Sequence, residues 1–136
     1  MSWLDIAKAA GVAAAVLILD VLVALVVVFV WAVIAAPGHS RAYYATAGIP
    51  VALWSTRIAG TALVAGAAWL SARRRPERSA LLFGAAIVGF YAFFDGASIG
   101  FKGFLTLSTA LTMGLKLAAA LLGAAAARST AAIRPA

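Results

Sequence analysis

Four apolar stretches, at about 9–35, 48–71, 79–97 and 105–127, take up most of the 136 residues. A helix rises 1.5 Å per residue, so about 20 residues cross a hydrocarbon layer about 30 Å thick. The third stretch just reaches that length. The first exceeds it, which implies tilt or a helical extension beyond the bilayer. Lipid offers no hydrogen-bond partners to the backbone, so a chain crossing it this way must satisfy its amides within each helix. The sequence therefore predicts an all-α integral membrane protein. Its four transmembrane helices would form one compact antiparallel bundle, a single domain over residues 1–136.

Breaks between the stretches are well marked. Ala36-Pro37-Gly38-His39-Ser40-Arg41 is a turn signal, Arg73-Arg74-Arg75-Pro76-Glu77-Arg78 a charged hairpin, and Gly100-Phe101-Lys102-Gly103 a short glycine-bounded loop. The first stretch is too long for the apolar core of a signal peptide and ends near Trp31, an interfacial anchor. It reads as a retained first helix, with Trp3 at the opposite interface just before that helix begins.

Orientation follows from the distribution of basic residues. With four spans, one side carries Lys8, Arg73, Arg74, Arg75, Arg78, Arg128 and Arg134, and the other only Arg41 and Lys102. The positive-inside rule then puts both termini in the cytoplasm, in a plasma membrane that the Ala- and Arg-rich composition associates with a bacterial inner membrane. The net charge of +7 belongs to topology and to anionic lipid headgroups, so membrane lipid is an expected partner and nucleic acid is not. Cysteine is absent, which excludes thiol nucleophiles, disulfides and Cys-ligated metals. His39 is the single histidine and reads as a solvated loop residue. No cofactor and no metal site is expected.

Small residues recur at four-residue spacing as Ala62 and Gly66, Ala85 and Gly89, Ala110 and Gly114, and Ala119 and Gly123. Such pairs let helix backbones approach in lipid and point to a compact bundle.

Against this background the buried charges stand out. Arg57 and Lys116 lie near the middle of their spans, Asp20 at a similar depth in the first, and Asp95 nearer one face. An ionised group at the bilayer centre costs about 2.5–3.5 kcal/mol on insertion scales, so these are the candidate functional positions. At 100° per residue Lys116 shares a face with Thr109 and Thr112, Asp95 with Tyr91, and Arg57 with Pro50. Trp54, Tyr43 and Tyr44 supply aromatic surface towards the outer side, either around a site or as an interfacial belt. On the inner side, Val12 to Leu19, Ala62 to Leu70, Leu81 to Gly89 and Leu117 to Ala127 carry no ionisable group and no hydroxyl. The pattern is that of a polar site open to the outside, floored by Arg57 and Lys116 and sealed beneath. Two acids and two bases also sum to zero, and depth pairs Asp20 with Lys116 and Asp95 with Arg57.

Three functional classes fit. An accessory or assembly subunit would use its charges to hold helices in register. A small oligomeric transporter or channel would attract an anion at Arg57 and Lys116, or couple to protons through Asp20. A membrane enzyme acting on lipid or quinone would draw on Asp95, Tyr91 and Arg57. A Ser–His–Asp hydrolase would depend on His39 alone, which weighs against an enzyme. Four narrow helices filled with Ala, Leu and Val leave no room for a monomeric pore, so a homo-oligomer or a larger membrane complex is expected. Length and span number are shared with small multidrug transporters, fluoride channels and DoxX-like proteins, but none of their local motifs is present.

Overall fold

The structure, a computed structural model, describes residues 2–73, 77–100 and 106–132, and it is all-helical. Helices α1 (Trp3–Ile34), α2 (Arg41–Ala72), α3 (Glu77–Ile99) and α4 (Leu107–Ala132) follow in chain order. All four are long and apolar enough to cross a membrane. Arg74 and Arg75 of the basic hairpin, Lys102 of the third loop and Arg134 lie outside the described residues, as do the side chains of Arg78 and Arg128.

Helix ends are set by polar caps, which is why they depart from the apolar pattern. Ser2 accepts the Asp5 N–H at 3.3 Å while the Asp5 carboxylate accepts the Ser2 N–H at 3.0 Å, a reciprocal capping box. Trp3 therefore sits in the first turn of α1 and not ahead of it. After α1, Gly38 takes φ +81°, a backbone conformation that glycine reaches without steric cost. Tyr44 clamps this turn: its hydroxyl donates to the Ala36 carbonyl at 2.6 Å and accepts the His39 N–H at 3.1 Å. The His39 ring, although exposed, stacks on Tyr43 at 4.1 Å between centroids. Ser40 caps α2 by accepting the Tyr43 N–H at 3.3 Å, so α2 starts seven residues ahead of the apolar stretch. Pro50 consequently lies nearly three turns inside α2, where it removes the amide that the Thr46 carbonyl would otherwise accept.

The helices meet over small side chains. On α1 only Ala9, Ala13, Val16 and Asp20 are buried. Their spacing of three and four residues traces a single stripe along one face. Opposite it lie Val64 and Ala68 of α2, Phe83, Ile87 and Tyr91 of α3, and Ala120 of α4. A second cluster of alanines, Ala72, Ala80, Ala124 and Ala127, closes the end nearer the chain termini. The rest of α1 exposes Ile18, Leu22, Leu25, Val26 and Phe29, a continuous apolar surface.

Of the four small-residue pairs read from the sequence, one supplies a close glycine contact. A Cβ on Gly123 would be driven into the Ala65 carbonyl oxygen of α2, so α2 and α4 approach backbone to backbone there. Gly66, Gly89 and Gly114 face open space. Two glycines outside those pairs are packed instead. Gly84 lies 3.5 Å, measured from an ideal Cβ, from the Ala120 carbonyl oxygen, and Gly60 lies against the charged cluster described next.

Candidate functional site

Asp20, Tyr91 and Lys116 meet in the interior, each at 1% exposure or less. Asp20 comes from the buried stripe of α1, Tyr91 from α3 and Lys116 from α4. Lys116 Nζ donates to Tyr91 Oη at 2.7 Å, and Tyr91 Oη in turn donates to Asp20 Oδ2 at 2.5 Å. The direct Lys116 Nζ to Asp20 Oδ2 separation is 3.5 Å, at the limit of a hydrogen bond. Tyr91 is therefore the bridge. It passes a hydrogen bond from the cation to the anion, and its ring lies 4.0 Å from Lys116 Nζ, within cation–π range.

α2 contributes an absence. At Gly60 an ideal Cβ would lie 2.5 Å from Asp20 Oδ2 and 2.9 Å from Lys116 Nζ. Only a residue without a side chain lets the α2 backbone pass this close to the ion pair. All four helices thus meet at one point, three through side chains and one through a missing one.

Satisfaction of the cluster is incomplete. Asp20 Oδ1 is buried and has no hydrogen-bond partner among the described residues. Asp95 stands one turn beyond Tyr91 on α3, half-buried.

No family model, curated protein or solved structure matches this chain.

The structure divides the candidate residues into two groups. Asp20, Tyr91 and Lys116 are brought together, with Asp95 at their margin. Arg57 stands apart, half-buried, where its Nη2 donates to Ser108 Oγ at 2.6 Å. Asp95 and Arg57 form no ion pair among the described residues. Thr109 and Thr112 serve their own helix: Thr109 pairs with Thr106 at 2.8 Å, and Thr112 donates to the Ser108 carbonyl at 2.9 Å. Trp54 is 63% exposed and flanks an apolar groove of about 510 Å³ with Val27, Pro50 and Ile58. It lies 6.0 Å from the Arg57 guanidinium, at the edge of cation–π range. Among the described residues no group of three or more His, Cys, Asp or Glu could hold a metal ion.

Gly60 is the member of the site that residue-by-residue reading passes over. Its signal was nevertheless present. Glycine inside a helix costs about 1 kcal/mol relative to alanine, so a glycine in this alanine-rich span points to a close approach.

Proposed function

We propose that the protein is a small four-span integral membrane component of the plasma membrane, with its helices antiparallel and both termini cytoplasmic. In this reading its buried charges act as an internal lock that holds the bundle in register, and the protein serves as an accessory or assembly subunit. Contact order supports the antiparallel arrangement. Between α1 and α2, Val28 meets Gly48 and Asp20 meets Gly60, so one number falls as the other rises; between α2 and α4, Gly60 meets Lys116 and Ala65 meets Gly123, rising together. The excess of Lys and Arg in the N-terminal segment, second loop and C-terminal segment supports the orientation. The broad apolar face of α1 suits contact with lipid, a second copy or another membrane protein.

One observation carries the lock reading. The Lys116 ammonium, at 0% exposure, is enclosed by groups from two other helices. A cation that served as the floor of an open site would keep access to water. Breaking a buried pair by removing one partner costs about 3–5 kcal/mol, whereas replacing both by apolar residues of similar volume is often neutral. Thermal unfolding in mild detergent of Asp20→Leu, Lys116→Leu and the double variant is therefore the test. The lock predicts two destabilised single variants and a double that recovers most of the loss. Single variants with unchanged stability would overturn it.

The unpartnered Asp20 Oδ1, with a second acid, Asp95, one turn beyond Tyr91 on α3, supports a second reading, proton-coupled transport. That reading predicts proton flux in proteoliposomes that Asp20→Asn abolishes at unchanged stability.

A further inference from the structure

Near the start of α1 and the end of α2 lies a groove of about 1190 Å³, larger than the ~300–1,000 Å³ typical of small-molecule pockets. Its lining changes character along its length. Val12, Ala15, Leu70 and Phe83 make an apolar wall, and beyond them Lys8 and Arg73 bring two cations to the rim. Arg73 is held in place, since its guanidinium lies 3.7 Å from the centroid of the Trp69 ring. The chain then continues through Arg74, Arg75 and Arg78. Ser71 and Ser79 supply hydroxyls to the lining, and Asp5 is the acid of the rim, with its carboxylate bonded to Ser2.

From this gradation we propose that the groove binds an anionic phospholipid, with the phosphodiester headgroup between Lys8 and Arg73 and an acyl chain along Val12, Ala15, Leu70 and Phe83. The chemistry recognised at the rim is a headgroup of net negative charge, a phosphate monoanion without the choline cation that Lys8 and Arg73 would repel. The apolar wall requires that the phosphate come attached to a chain, because a free anion would leave most of the groove unfilled. The position fits as well. Lys8 lies in the second turn of α1 and Arg73 caps α2, so both stand at the end of a span, where headgroups lie. Basic residues scattered around a bundle would attract anionic lipid diffusely and without a fixed number. A walled groove instead predicts one retained lipid for each copy.

This inference rests on the reading of the helices as membrane-spanning, and the experiment separates the two. The full chain is released from membranes in mild detergent, and native mass spectrometry follows added phosphatidylglycerol, phosphatidylcholine of the same chain length, and sn-glycerol 3-phosphate. The expected result is saturable retention of one phosphatidylglycerol, with little phosphatidylcholine and no glycerol phosphate. In Lys8→Gln/Arg73→Gln the affinity should fall about tenfold or more, as two headgroup contacts are lost. Ala15→Leu leaves every charge in place but fills the groove from an exposed position, so its fold should persist while the lipid is lost. Equal retention of the two phospholipids, binding of glycerol phosphate alone, or undiminished binding in Ala15→Leu would each overturn the proposal. A chain that stays in solution without detergent would overturn the membrane reading and this inference with it.

Discussion

Gly60→Ala tests the packing of the charged cluster most directly. The added methyl would lie 2.5 Å from Asp20 Oδ2, 2.9 Å from Asp20 Cγ and 2.9 Å from Lys116 Nζ. Ordinary contact needs 3.4 Å or more, so the carboxylate must retreat by close to an ångström. Tyr91 Oη is bonded to that same carboxylate oxygen at 2.5 Å, so moving the oxygen disturbs the bridge. Overpacking a filled interior costs about 1–3 kcal/mol, and full separation of a buried ion pair about 3–5 kcal/mol. Alanine returns at most about 1 kcal/mol through its higher helix propensity. The net expectation is destabilisation of about 1–4 kcal/mol, the upper end applying if the bridge opens. Gly66→Ala is the matched control, because nothing lies within 4 Å of a Cβ there. It should be neutral or slightly stabilising. Thermal unfolding in one detergent, followed by circular dichroism, reads both variants. A second arm places Gly60→Ala in the Asp20→Ala/Lys116→Ala background, where the obstructing atoms are gone and its cost should vanish. If Gly60→Ala is as well tolerated as Gly66→Ala, or its cost survives in that background, the close approach of α2 to the ion pair is refuted.

Two further substitutions probe the same interior. Tyr91→Phe keeps the ring and removes the bridging hydroxyl, leaving Asp20 and Lys116 with only their 3.5 Å contact. It should cost about 1–3 kcal/mol, and a cost below the error of the unfolding measurement would show that the direct pair suffices. Gly123→Ala would drive a methyl into the Ala65 carbonyl oxygen, and a backbone atom cannot rotate aside as a side chain can. It should lower the unfolding temperature more than Gly114→Ala, whose Cβ meets open space; equal shifts would contradict the backbone contact between α2 and α4.

Much of the candidate site was legible from depth alone. Charges in lipid seek partners at their own level, and this matches Asp20 with Lys116. The same argument also matched Asp95 with Arg57, which the structure does not pair. Depth fixes position along a helix but leaves open the rotation that decides which neighbour a side chain faces. Tyr91 was placed on the face of Asp95 by helical periodicity, yet its function as a bridge depends on two other helices. The small-residue spacing named four pairs and found one close glycine contact. In an alanine-rich chain the spacing is common, and only the packed partner distinguishes a seam from a surface.

Composition and apolar run length, by themselves, determined four helices long enough to cross a bilayer, because helical rise and the unsatisfied backbone in lipid leave a chain like this no other regular structure. Cysteine and histidine content narrowed the chemistry, whereas the start of α1 was set by the Ser2–Asp5 capping box and lies ahead of where the apolar pattern put it. Tertiary structure alone decided which of the four intramembrane charges are enclosed, that a tyrosine joins them, and that a glycine on the remaining helix makes the space. Those outcomes depend on interhelical distance and rotation, which arise from many weak contacts between alanines on different helices. No local pattern within one helix encodes them.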